Sequence, residues 1–258
     1  MANPLISGSP AAASSNSGPD CLVQLAKAAL HYLKSGQTIG LGSGRAASAF
    51  IRTVASAGLN VRGVPTSSAS AELARSLNIP LVDLNEVEQL DTDFDGADEV
   101  DPHLDMVKGR GGAMVREKIV AAASRQRIFL VSNEKIVNRL GERGNLPVEV
   151  VPFAAPLAMR EIAKFGLEPR VRLDSSGGQF ITDNGNLIFD CRVTAIQNPA
   201  RLECDLLAVP GVVGTGLFLG IADIILVASD DGKITTLHRS RQGADVTSAA
   251  SIGKDSVG

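Results

Sequence analysis

Thr38-Ile39-Gly40-Leu41-Gly42-Ser43-Gly44-Arg45-Ala46-Ala47 reads as a short buried strand running through a glycine-rich turn into an Ala-rich helix, expected from about Ala46 to Ala57. Glycines between a strand and a helix let backbone N–H groups approach an anion at the helix N-terminus. From Gly42 the spacing also fits a loose dinucleotide-binding fingerprint ending at Ala47. That fingerprint needs an acid at the end of the next strand to hold a ribose hydroxyl, and no Asp or Glu occurs between residues 43 and 71. The dinucleotide reading therefore falls. No Gly-Lys-Ser/Thr follows either, so there is no nucleotide-triphosphate loop. A small phosphate site and a plain tight turn both remain open on these residues.

Outward from this turn the chain alternates helix and strand patterns. A helix is expected over Leu22 to Leu33, stopped by Lys34-Ser35-Gly36. Strands are expected at Asn60 to Val64, Ile79 to Leu84, Thr92 to Asp95 and Arg127 to Ser132, with helices at Ala69 to Leu77 and Gly112 to Ala123. Strands separated by helices imply βαβ crossovers and a mostly parallel sheet, a Rossmann-like α/β architecture. Near Pro147 the texture changes. A strand from Pro147 to Pro152 and a helix to about Phe165 precede short segments at Arg170 to Leu173, Gln179 to Thr182 and Asn186 to Cys191, with an Asn184-Gly185 hairpin signal. This stretch reads as a smaller inserted α+β unit. The parallel style is expected to resume after Pro210, with Asp223 to Ala228 and an edge strand at Lys233 to Leu237. The expected organisation is a larger unit over residues 19–146 and 210–240, a smaller one over 147–209, and disordered tails at 1–18 and 241–258.

Composition narrows the function classes. Of the 258 residues 44% are hydrophobic but only 3% aromatic, without Trp, which suits an aliphatic sheet-and-helix core and not a single-strand nucleic-acid binder that stacks bases on rings. The net charge of −3 provides no basic field for nucleic acid. The apolar stretch Leu217 to Ala228 is broken by Asp223, well short of the ~20 residues of a membrane span. Cys21, Cys191 and Cys204 are odd in number and widely spaced, so a reducing compartment is expected and no disulfide framework or zinc site. The Ser- and Ala-rich N-terminus has no basic residue before Lys27 and matches an organelle transit peptide weakly. A cytoplasmic location is expected, with the plastid stroma as the alternative.

Two further stretches carry chemistry. Asp91-Thr92-Asp93-Phe94-Asp95-Gly96-Ala97-Asp98 opens like a calcium loop, but its twelfth position is Pro102 and its eighth is Asp98, so the calcium reading fails. The bland alternative is a solvated acidic loop. Against it, the pattern puts Asp95 at the C-terminal end of a strand, where parallel sheets place their ligand crevice. Asp95 and Asp98 can then crowd two carboxyls into one crevice, which raises at least one pKa and suits proton transfer. Lys108-Gly109-Arg110-Gly111-Gly112 puts a lysine in a glycine-rich loop opening a helix, another anion-recognition device. On periodicity alone Glu117 lies opposite Met114, Val115 and Ile119 and reads as a surface residue. His31, His103 and His238 form neither a triad nor a metal set in sequence.

Taken together, Asp95-Gly96-Ala97-Asp98-Glu99, Val107-Lys108-Gly109-Arg110-Gly111-Gly112-Ala113 and Arg116-Glu117-Lys118 closely resemble the signature of the A-type ribose-5-phosphate isomerase family. Gly63-Val64-Pro65-Thr66-Ser67, Leu146-Pro147-Val148-Glu149-Val150, Thr182-Asp183-Asn184-Gly185-Asn186 and Pro210-Gly211-Val212-Val213 follow in the family order, so the resemblance covers residues 20–240. It implies a Rossmann-like domain carrying a smaller α+β domain, usually in homodimers or homotetramers. The implied reaction interconverts ribose 5-phosphate and ribulose 5-phosphate through an enediol, with a small phosphosugar as substrate and no metal or other cofactor. By the resemblance Glu117 is the catalytic base, overriding the surface reading. Asp95 and Asp98 assist ring opening and hydroxyl proton transfer, and Lys108 stabilises the enediolate oxygen. Ser43, Gly44, Arg45, Ala46, Gly96, Ala97, Gly109, Arg110, Gly111 and Lys135 would complete the substrate-binding set.

The sequence departs from the family pattern at two places. The phosphate turn, usually Gly-Thr-Gly-Ser-Thr, here reads Gly42-Ser43-Gly44-Arg45-Ala46, and Leu22 occupies the position of a phosphate-contacting lysine. Arg45 is expected to supply the missing charge. The alternatives are a divergent paralogue acting on another phosphosugar, and a non-catalytic sugar-phosphate-binding subunit.

Overall fold

The computed structural model describes residues 19–239, so the tails expected at 1–18 and 241–258 lie outside the described residues. α1 (Pro19–Ala29) buries Leu25, Ala26 and Ala29, one helical stripe, against the sheet below it. β1 (Thr38–Leu41) is fully buried and passes through Gly42 and Ser43 into α2 (Gly44–Ser56), where Gly44 takes a φ of +88°. β2 (Arg62–Pro65) leads to α3 (Ser68–Ser76), whose N-terminus is closed by a capping box between Ser67 and Ser70. Then follow β3 (Leu90–Gly96), the two-residue strands β4 (Glu99–Val100) and β5 (Met106–Val107), α4 (Met114–Ala122) and β6 (Ser124–Ser132).

The chain continues with β7 (Asn145–Val150), α5 (Ala155–Ala163), β8 (Glu168–Val171), β9 (Leu187–Arg192) and α6 (Pro199–Leu207). It ends with β10 (Val212–Thr215), β11 (Leu217–Phe218), β12 (Ile224–Ala228) and β13 (Ile234–His238).

The six-stranded sheet runs β13-β12-β6-β3-β1-β2, parallel throughout except for the antiparallel edge strand β13. This is the mostly parallel architecture expected from the alternating pattern. The chain leaves β1 for β2 on one side and returns to β3 on the other, so β1 and β3 flank a topological switch point. Ligand crevices of open α/β sheets form there, beyond the strand C-termini. The C-terminal ends of these two strands are Leu41 and Gly96, leading into the glycine turn and the Asp95-Gly96-Ala97-Asp98 segment.

The two faces of β3 differ in chemistry because side chains alternate along a strand. Phe94 stacks on Phe50 of α2, 4.2 Å between ring centroids, inside the cluster of Leu25, Ile39 and Ile128. Asp93 and Asp95 point to the opposite face, which α4 covers. A second, antiparallel sheet, β10-β7-β9-β8, packs Val148, Val150, Phe189 and Cys191 against Ala158 and Ile162 of α5 and Leu206 of α6. β11, β5 and β4 form a small third sheet between the two.

Two local expectations need correction, and one helix was missed. The strand expected at Ile79 to Leu84 is a single bridge from Leu81 to Gly63, followed by a 3-10 turn at Leu84–Glu86. Pro80 has no N–H to extend a ladder, and Asp83 caps the turn instead. Gln179 to Thr182 makes only isolated bridges. α6 was not anticipated, although Asn198-Pro199 is a start signal: the Asn198 side chain accepts the Arg201 N–H at 3.0 Å, and Pro occupies the first turn.

Candidate active site

Beyond the ends of β1 and β3 lies a cleft of ≈ 360 Å³. Its rim is the α2 N-terminus, with Ser43, Gly44, Arg45 and Ala46, and its floor carries Gly96, Ala97, Asp98, Lys108 and Glu117. Gly109, Arg110, Gly111 and Lys135 close the sides. Asp95 does not line the cleft; it lies fully buried beneath, against Lys108. Leu22, from α1, faces the same space as Arg45, and Leu130, Val131, Ser132 and Glu134 complete the wall. None of the last four was named as a site residue: Leu130, Val131 and Ser132 end β6 and Glu134 lies in the 3-10 turn that follows, where only nearness to Lys135 marks them.

Glu117 corrects the periodicity argument. It is 4% exposed, whereas Ile119 is 48% exposed. The inward stripe of α4 is Met114, Glu117, Val120 and Ala121, because the helix faces a polar floor as well as an apolar core.

The floor is a charge cluster in an almost dry setting. Lys108 Nζ lies 2.9 Å from Asp95 Oδ2 and 3.3 Å from Glu117 Oε2, and donates to the Gly96 carbonyl. The rings of Phe129 and Phe218 flank the ammonium at 5.6 and 5.4 Å. Burial alone would lower the Lys108 pKa, but Asp95 and Glu117 more than reverse this, so the lysine stays charged. Asp95 Oδ1 accepts the N–H groups of Ser43 at 3.0 Å and Gly96 at 2.7 Å. Its charge is thus spoken for by two amides and an ammonium.

Glu117 is held by less. The Lys108 ammonium 3.3 Å from its Oε2 favours the charged form, but burial, then the nearby charge of Asp95, outweigh it and push its pKa up to about 8. A carboxyl poised near neutrality, open to a cleft and beside a fixed ammonium, has the chemistry a general base needs, and the ammonium has the charge that holds an oxyanion.

The rest of the cleft supplies positioning. The Ser43 hydroxyl bonds Thr66 Oγ1 and Ser67 Oγ, both at 2.8 Å, tying the glycine turn to the end of β2. First-turn amides of a helix lack intrahelical acceptors, so the α2 N-terminus offers an anion N–H groups and the positive end of its dipole. Asp98 Oδ2 accepts the Arg110 N–H at 3.0 Å. Burial and the nearby Arg143 lower the pKa of Lys135 on the opposite wall.

Fold and cleft together define the class: a Rossmann-like α/β protein with an acid–base floor beneath a helix-terminus anion cradle. The family model for ribose 5-phosphate isomerase A (phosphoriboisomerase A) matches residues 62–232. A relative of that name from Roseiflexus castenholzii is 50% identical over 214 residues, 81% of this chain and 92% of its own length. The solved ribose 5-phosphate isomerase A of Methanocaldococcus jannaschii is 39% identical with a TM-score of 0.80, covering 85% of this chain and 98% of that one. A D-ribose-5-phosphate isomerase solved in complex with phospho-erythronic acid is 35% identical with a TM-score of 0.82, over 85% and 98% of the two chains. The chain belongs to the ribose 5-phosphate isomerase A family. No helix among the described residues is long and apolar enough to cross a membrane.

Proposed function

We infer that this chain is an aldose–ketose isomerase that interconverts D-ribose 5-phosphate and D-ribulose 5-phosphate through an enediolate. The observation that carries the reading is Glu117: a buried carboxyl with a pKa near 8, 3.3 Å from the Lys108 ammonium at the floor of an open cleft. In the aldose-to-ketose direction Glu117 takes the proton from C2 and returns it to C1. Lys108 supplies preorganised positive charge where the enediolate oxygen develops. Asp98 assists ring opening and passes the hydroxyl proton from O2 toward O1, while Asp95 holds Lys108 in place from beneath. The substrate phosphate sits at Ser43, Gly44, Arg45 and Ala46, and Lys135 with the Gly109-Arg110-Gly111 loop and Gly96-Ala97 orients the sugar. The relative's ligand, a phosphorylated sugar acid, is an anion at both ends, which suits a cleft with a cradle at its rim and an ammonium on its floor. In this reading the larger unit, residues 19–146 and 210–240, carries the chemistry and the smaller, residues 147–209, supports it. The assembly is a homodimer or homotetramer.

Arg45 and Leu22 line the same cleft, which favours compensation: the guanidinium at the helix start supplies the charge that Leu22 lacks. A coupled assay with ribose 5-phosphate tests both statements. Glu117→Gln should lower kcat by about 10²–10⁴-fold. Arg45→Ala should raise KM by about ten-fold or more with kcat nearly kept, the loss of a charge-assisted hydrogen bond. No turnover by the wild-type protein at any substrate concentration would remove the isomerase reading in favour of another phosphosugar or a binding role. An unchanged KM in Arg45→Ala would remove compensation alone.

A further inference from the structure

We propose that Arg172, in the smaller antiparallel layer, is a positioning residue for the reaction: its guanidinium holds the Gly109–Gly111 loop so that the loop's amides and Asp98 face the cleft. The proposal rests on the isomerase reading for its consequence, though not for its geometry. Arg172 follows β8, and its side chain is only 12% exposed. All three guanidinium nitrogens are engaged. Nε and Nη2 meet the two oxygens of Asp190 at 2.8 and 2.5 Å, and Nη1 donates to the carbonyls of Gly109 at 2.9 Å and Arg110 at 3.0 Å. Asp190 is itself fixed by Asn145 Nδ2 at 2.8 Å. Arg172 is also anchored by its backbone, donating to Ile188 O at 2.8 Å and accepting from Phe180 N at 2.9 Å.

The consequence for the cleft follows from peptide geometry. In a trans peptide the C=O and the following N–H point in opposite directions. With the Gly109 carbonyl held toward the small layer, the N–H of Arg110 turns the other way, and it donates to Asp98 Oδ2 at 3.0 Å. A positive charge on the carbonyl end polarises the same amide and strengthens its donation to the carboxylate. The Arg110 carbonyl is held too, which orients the Gly111 N–H by the same rule. A run of glycines has no side chains with which to fix itself, and Gly109 has a φ of +105°. Phe180 closes the loop's far end, lying against Gly112 where a Cβ would come within 2.5 Å of the ring. Lysine is no substitute at 172, because a point ammonium lacks the planar fork that bonds a carboxylate and two carbonyls at once.

The test compares wild type, Arg172→Lys and Arg172→Ala by steady-state kinetics with ribose 5-phosphate and by hydrogen–deuterium exchange of amides 108–112. Both variants should exchange faster across 109–111 and lose about 10–100-fold in kcat, the scale of a misplaced catalytic group, while KM changes by less than about three-fold. Arg172→Lys should recover the melting temperature but not kcat, and millimolar guanidinium should restore part of the Arg172→Ala rate. Wild-type kcat in either variant, or unchanged exchange at 109–111, overturns the proposal. Wild-type protein that fails to turn over would instead sink the isomerase reading, and the holding of the loop would then stand or fall on the exchange comparison alone.

Discussion

Glu117 shows how one residue can set stability against chemistry. Its folded-state pKa of about 8 lies above its unfolded value, so the folded protein prefers the protonated acid. The stability this provides is complete below the unfolded carboxylate range and is lost as pH rises through about 8. The proposed proton transfer needs the other form. Turnover should therefore climb as pH passes through about 8, and a pH–rate profile measures this directly. Glu117→Gln should abolish that limb and, at pH 8, raise the melting temperature; a lowered melting temperature there would contradict the electrostatic account.

Asp93 is a second buried carboxyl with a different fate. Both oxygens lack hydrogen-bond partners among the described residues. Burial and then the charge of Asp95 raise its pKa well above the usual range, with Glu117 adding to the rise and Lys108 and Arg127 opposing it. A raised acid contributes stability that fades as pH climbs above the unfolded value. Asp93→Ala should therefore be more stable than wild type at pH 8, by about 1–3 kcal/mol, with the gain shrinking toward pH 4. Urea unfolding at both pH values checks it.

At the scale of elements, the glycine turn serves two purposes, and the sequence disclosed only one. Gly44, with positive φ, opens α2 at the proposed phosphate position. Gly40 and Gly42 instead let β1 lie against the acids of β3. A Cβ at Gly40 would meet Asp93 and, at 2.6 Å, Val120 Cγ1; one at Gly42 would meet the Asp95 carboxyl and, at 2.6 Å, its Cα. Gly42→Ala must therefore move the backbone that bonds Gly42 N to Phe94 O at 3.0 Å. It should cost about 1–3 kcal/mol and lower kcat together with stability, whereas Gly44→Ala should act through backbone strain alone. Thermal melts of the pair separate the two effects. The same scale explains why α4 was misjudged by period: an amphipathic pattern reports which residues avoid water, and a buried acid paired with a buried lysine avoids it too.

Across the whole molecule the two layers meet through polar ties. Asp183, in the turn after Thr182, accepts the Ser68 N–H at 2.7 Å and the Ser68 hydroxyl at 3.0 Å, an anion at the start of α3. Arg116, beside Glu117, donates to the Asp183 carbonyl at 2.7 Å and to Asn184 Oδ1 at 2.8 Å. Buried Glu149 gathers Thr182, Asn184 and Asn186 onto one oxygen, which fixes the turn from within the small layer. Asp183→Ala should lower stability by about 1–2 kcal/mol, while leaving the alkaline rise of kcat in place. A displaced rise would mean that the tie also shapes the floor of the cleft.

The parallel sheet was legible in the alternating helix and strand patterns, and the family in several long motifs in fixed order. Through the family resemblance, and not through side-chain type alone, the sequence also pointed to most of the residues that line the cleft, Glu117 and Lys108 among them. Tertiary structure decided what those residues do to one another. Only packing put Asp95 beneath the cleft instead of in it, turned Glu117 inward, and left Asp93 without a hydrogen-bond partner among the described residues. Only packing brought Arg172, more than sixty residues away, onto the carbonyls of the lysine loop. The reason is physical: local patterns report each residue's own preference for water or for a backbone shape, whereas burial, pKa and orientation arise between segments distant along the chain.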